Sequence, residues 1–204
     1  MVKKKAEVAA TAVEEFVDGR AQRGLQNKQS IVDALIALIQ AGNLSPTADQ
    51  VATESGVALR TVFRHFEDMQ SLFAELGPVA DGALQAASSG NLKGDSWADK
   101  LNTYIDKRLK AFEDNMALLT STSIHQHDSV ALGAAQVASA AAQRKQWITL
   151  LPKKAQGNKM LLDALDASFS FDSYARLRRD QQLGAAAAKK VVKFSVEQLL
   201  KGQA

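Results

Sequence analysis

Arg60 and Arg64 stand four residues apart, beside Thr61 and His65, in the run Leu59-Arg60-Thr61-Val62-Phe63-Arg64-His65-Phe66. On a helix this spacing places both guanidinium groups on one face. Such groups pair bidentately with guanine edges and contact phosphate, so their chemistry is recognition of nucleic acid. A second constellation, His125-x-His127-Asp128, holds ligand types suited to zinc or nickel. An i, i+2 pair on a helix points to different faces, and the remaining histidine is His65. No metal site is therefore expected. Asp163 and Asp166 are two carboxylates three residues apart on an amphipathic stretch and read as its solvent face. The chain has no cysteine, no Gly-rich phosphate loop, no HExxH and no G-x-S-x-G elbow. An enzyme is not expected, nor a cofactor.

The arginines need short, well-anchored elements. Ile31, Ala34, Leu35, Leu38 and Ile39 repeat with the period of one helix face, and Gly42 is a suitable stop. Pro46 precedes Thr47, which forms a capping-box pattern with Gln50 and predicts a helix from Ala48 to Glu54. Ser55-Gly56 turns the chain. Val57, Val62 and Phe66 are spaced to pin the next helix onto the first two, leaving Arg60, Thr61, Phe63, Arg64 and His65 on its other faces. Asp68 can cap a further helix that buries Leu72, Phe73 and Leu76. Two short helices joined by a glycine turn are the outline of a helix-turn-helix reader.

Lys28 to Leu76 resembles the DNA-binding domain of TetR-family transcriptional regulators. The matching residues are Thr47, Val51-Ala52, Gly56-Val57, Thr61-Val62-Phe63-Arg64-His65-Phe66 and Leu72-Phe73. The resemblance implies a homodimer whose two heads enter successive major grooves of a palindromic operator in double-stranded DNA. It implies that Thr47 and His65 meet phosphate. It also implies that Leu59, Arg60, Thr61, Phe63 and Arg64 lie in or beside the groove, with Ala58 opening the reader helix. Two departures stand out. Met69 occupies the place where many members carry a lysine, after Glu67 and Asp68. Ala58 stands where a polar residue usually opens the reader helix. A dimeric helical adaptor or ligand sensor with weakened DNA binding is the competing function.

Bulk charge does not make the DNA argument. The whole chain carries a formal charge of +3. Residues 1–76 are slightly negative, so the positive excess lies beyond Leu76. Distribution over the surface decides such binding. With three prolines and much alanine and leucine at helical spacing, the chain reads as all-α. No apolar run reaches membrane-spanning length and the N-terminus lacks a signal-peptide core, so a cytoplasmic protein with no membrane partner is expected.

The expected organisation is an N-terminal arm over 1–26, partly mobile, a helix-turn-helix head over 27–76 and a helical body over 77–204. The arm either is a tail or lays Arg20, Arg23 or Lys28 against phosphate. Gly77-Pro78 predicts a kink or break, read either as a hinge or as a simple stop. Body helices are expected over about 96–112, 115–124, 129–151, 159–179 and 184–200, with loops at 88–94 and 153–158. In TetR-like proteins the last two helices form a four-helix dimer interface, which implies roles for Leu165, Phe169, Val191, Val192 and Leu199. The middle helices would enclose a cavity for an unknown small-molecule effector, lined from Tyr104, Phe112, Met116, Thr120, His125, Trp147 and Phe169. The same residues also suit plain core. Most relatives repress and release DNA on binding a ligand, so the resemblance implies a repressor.

Overall fold

The computed structural model describes the backbone of residues 2–88 and 90–203, and the side chains of residues 19–88 and 90–203. Every regular element among these residues is an α-helix. The chain divides into two compact units, 1–72 and 73–204.

The first unit is the head. Helix α1 (Val2–Gln40) runs unbroken across residue 26, so the backbone shows no boundary between an arm and a head there. Lys3-Lys4-Lys5 lie outside the residues whose side chains are described. Ile31, Leu35 and Ile39 are fully buried, as their period requires. Helix α2 (Ala48–Ser55) begins with the expected capping box. Gln50 N donates to Thr47 Oγ1 at 3.3 Å, and Thr47 N donates to Gln50 Oε1 at 2.9 Å. It ends at Gly56, whose φ of +71° lies in the left-handed region that glycine enters without steric cost. Helix α3 (Leu59–His65) follows at once. Val51, Ala52, Val62 and Phe66 are buried where α1, α2 and α3 meet.

Helix α4 (Met69–Ala74) is capped by Asp68, whose Oδ1 accepts from Ser71 N at 2.8 Å. Helix α5 (Leu76–Ser88) starts after a turn at Glu75. The expected break is therefore present, at Glu75 rather than at Gly77-Pro78 itself. Pro78 sits in the first turn of α5, where its missing N–H would have had no helical acceptor. Gly77 has a packing role instead. A Cβ there would meet Leu132 Cδ1 at 3.3 Å and Ala135 Cβ at 3.5 Å, so its absence lets α5 approach the eighth helix closely.

The body continues with α6 (Trp97–Asp114), α7 (Met116–His125), α8 (Val130–Ile148), α9 (Lys153–Gln156), α10 (Lys159–Ser168), α11 (Phe171–Arg179) and α12 (Ala185–Leu200). Ser96 caps α6 in a second capping box, with Asp99 as its partner. Two expectations are corrected. The loop at 153–158 contains the single turn α9, which buries Ala155. The helix expected over 159–179 is two helices. Phe169 leaves the helical register to bury its ring, and the Ser170 hydroxyl starts a new helix by accepting from Ser173 N at 3.2 Å.

Helix α5 packs on α6, α7 and α8, while α12 packs on α6, α10 and α11. Between them lies an aromatic core. Phe169 meets Trp147 edge-on at 5.1 Å and Tyr104 at 6.5 Å. Phe112 meets Phe171 at 5.5 Å and Tyr174 at 5.8 Å. Such pairs favour one packed arrangement beyond their area of burial.

Candidate nucleic-acid interface

Helix α3 is only seven residues long, and its own hydrogen bonds cannot hold it. Its stability comes from Val62 and Phe66, 1% and 4% exposed, which fix it against α1 and α2. The remaining residues are thereby turned outward. Ala58, Leu59, Arg60, Phe63 and Arg64 are exposed, while Thr61 and His65 are half-buried. Phe63, at 47% exposure, and Leu59, at 37%, are apolar residues that this surface leaves open beside the arginines. Thr47 is exposed at the first turn of α2, close in sequence to the same face. The site is therefore two cations and two apolar groups on the short helix α3, with the Thr47 hydroxyl at the start of α2. That combination can donate to phosphates and base edges and can touch a thymine methyl.

Ala58 precedes α3 with no side-chain cap, in keeping with its type. The acids that follow the reader are accounted for differently. Asp68 is committed to the start of α4 through Ser71, whereas Glu67 is exposed. Met69 is half-buried. His65 is held below the ordinary histidine range, first by burial and then by the charges of Arg64 and Lys28. Its Nε2 is buried without a hydrogen bond. Lys28 Nζ lies 5.5 Å from the centre of the Phe66 ring, a cation–π contact that ties α1 to the end of α3. Arg23 Nε donates to the Gly19 carbonyl within α1.

In the body, the residues expected to line a cavity are mostly core. Tyr104, Phe112, Trp147 and Phe169 are buried, as is His125, whose ring stacks on Phe73. Met116 and Thr120 are half-buried. A cavity of about 150 Å³ does lie among α5, α6, α7, α8, α10 and α11, and Phe112 is the one expected residue in its wall. Tyr104, Trp147 and Phe169 are excluded from it because they fill the core with one another. The wall is more polar than the sequence reading anticipated: Arg108, Ser139, Gln143 and Asp166 all contribute. Arg108 and Gln143 occupy buried positions of helices whose other faces are solvated. Thr120 lines a separate shallow pocket with Ile124 and Arg179. A wider groove of about 390 Å³ runs along the start of α6 and the end of α12.

The interface expectation also needs correction. Leu165, Phe169 and Val192 are buried within the single chain, so they are not free to face a partner. Val191 is 39% and Phe194 61% exposed on α12, and Leu199 is half-buried. Phe194 was not anticipated. It lies three residues after Val191 and shares its side of the helix.

His125 is buried and His127 exposed, so the pair does not converge. Among the described residues, no group of three potential ligands is placed to hold a metal ion. Asp163 and Asp166 are bound by Arg144, at 2.7 and 3.6 Å. Among the described residues, no helix is long and apolar enough to cross a membrane.

No protein-family model matches the chain, and comparison with curated proteins gives no match. Solved structures do match. A transcriptional regulator from Rhodococcus sp. RHA1 superposes with a TM-score of 0.67 at 16% identity, over 86% of this chain and 96% of its own. A TetR-like transcriptional regulator from Rhodococcus sp. RHA1 gives 0.58 at 15% identity, again over 86% and 96%. At such identities the likeness is one of fold, and it spans head and body alike: this chain has the all-α fold of the TetR-like transcriptional regulators.

Proposed function

We propose that the protein is a DNA-binding transcriptional regulator that acts as a homodimer and is released from a palindromic operator by a small-molecule effector. The observation that carries this reading is the surface of α3. Arg60, Phe63 and Arg64 are exposed together on a helix whose only buried anchors are Val62 and the adjoining Phe66. A short helix held from behind, with its cations free in front, fits a major groove. Thr47 adds a donor at the start of α2. The exposed Val191 and Phe194 on α12 support pairing of two copies. The wall of the body cavity supports an effector site.

The adaptor reading draws on Glu67 and Met69. It weakens because Asp68 has a structural use as the cap of α4. The test is a footprint on DNA upstream of the protein's own gene. Arg60→Ala/Arg64→Ala should lose specific protection while keeping its helical circular dichroism. Two bidentate pairs at about 1–3 kcal/mol each would make this loss at least tenfold in affinity. An unchanged footprint would remove these residues from the reading surface.

A further inference from the structure

The wall of the body cavity contains a cation whose hydrogen bonding the fold leaves incomplete. Arg108 is 7% exposed and lines the cavity from α6. Its Nε donates to the Phe169 carbonyl at 3.2 Å, and its guanidinium carbon lies 5.0 Å from the Phe112 ring centre. Its Nη1 is buried with no hydrogen-bond partner. Tyr104, one turn earlier, lies beside the guanidinium. A buried guanidinium with an unmade bond is costly, because it has left water and received incomplete compensation.

The acids of the wall have partners of their own, although Asp166 also attracts Arg108 electrostatically. Asp166 pairs with Arg144, and Asp172 accepts from Ser123. Gln143 donates to Ser139, which donates in turn to Asp81. Leu84, Phe112, Leu119 and Phe171 supply apolar wall around these groups. The site therefore offers a partly satisfied guanidinium beside an apolar lining, in a volume of about 150 Å³. A volume of roughly that size accommodates a benzene-sized body.

We propose that the effector is a small organic carboxylate, a benzene-sized apolar body bearing one acid group, whose oxygens accept from the Nη edge of Arg108. The proposal rests on reading this cavity as the effector site. Arginine suits the task because its planar fork matches a carboxylate and stays charged when buried. Nε is occupied by the Phe169 carbonyl, which leaves the Nη side for the acid.

The experiment uses the full chain without DNA, so it stands apart from any footprint. Benzoate, hexanoate, benzamide and inorganic phosphate are titrated by calorimetry and by thermal melting. Benzoate or hexanoate should raise the melting temperature and bind at least tenfold more tightly than benzamide. Arg108→Met should abolish that preference while melting higher than wild type in the absence of ligand, since it removes an under-satisfied buried charge. Should that variant not fold, Arg108→Lys keeps the charge without the fork and should bind benzoate several-fold more weakly. The proposal is overturned if neither carboxylate binds, or if benzamide binds as well as benzoate. It is equally overturned if the Arg108 variants retain wild-type affinity, or if inorganic phosphate alone stabilises the protein as strongly. Release of DNA by benzoate is read separately. A protein that binds benzoate and no DNA would leave the carboxylate site standing and remove the regulator reading.

Discussion

Phe73 and His125 stack face to face, with ring centroids 3.5 Å apart and planes inclined by 13°. Phe73 is the first residue of the body unit and lies on α4, while His125 closes α7. Ser123 and Gln126, on either side of His125, belong to the cavity wall. The stack therefore fastens the entry of the body to the helix that borders its cavity. His125→Leu keeps apolar bulk and removes the ring. It should lower stability by about 1 kcal/mol, the usual worth of an aromatic pair beyond its area. Urea unfolding measures this, and a change below a few tenths would mean that the stack contributes packing only.

Thr47 caps α2 with its hydroxyl, and the proposed function gives the same exposed residue a contact with phosphate; substitution can separate the two. Thr47→Ala should cost about 1 kcal/mol of stability through the lost cap and weaken DNA binding as well. Thr47→Asp restores a capping oxygen but brings a negative charge to the phosphates, so it should recover stability while DNA affinity falls further. Parallel recovery of both properties would show that the hydroxyl serves only the helix.

Glu113 joins α6 to α11. Its Oε1 accepts from Tyr174 Oη at 2.7 Å and from Arg178 Nε at 2.6 Å. Burial pushes this carboxyl upward, but the hydrogen bonds from Arg178 and Tyr174 outweigh it and hold the group below the ordinary glutamate range. A carboxylate depressed in the folded state binds fewer protons there than in the unfolded chain. Its contribution is complete above the ordinary value and is lost as pH falls through the depressed one. Glu113→Gln should cost about 1–3 kcal/mol near neutrality, the range for a charged hydrogen bond whose partner is left behind. The gap between variant and wild type should narrow in acid. Unfolding curves at neutral and strongly acidic pH decide it, and an equal gap at both would exclude titration of Glu113 as the cause.

Val191 and Phe194 test the pairing of two copies. A stable interface removes about 800 Å² from each partner, and large apolar residues at its centre carry most of the energy. Val191→Lys/Phe194→Lys adds two charges to an exposed face and leaves Val192 and Val196 in the core. The variant should sediment as a monomer at micromolar concentration with its helical content intact. A dimer of wild-type stability would place the contact elsewhere.

The head was legible in the sequence because its signals are local. A capping box, a left-handed glycine turn and anchors at helical spacing need only neighbouring residues, and Thr47, Gly56, Val62 and Phe66 each take the expected part. The exposure of Arg60 and Arg64 follows from the same local geometry. The body was less legible. Helical periodicity identifies an apolar face and does not say what covers it, so the expectation of an interface at Leu165, Phe169 and Val192 came from the family resemblance and not from their spacing. Tertiary packing decided for core, by filling the space between α5 and α12 with Tyr104, Trp147 and Phe169. It also kept Tyr104, Trp147 and Phe169 out of the cavity and left Arg108 at its wall with an unmade hydrogen bond. That outcome depends on residues brought together from six helices, and no spacing along the chain encodes it.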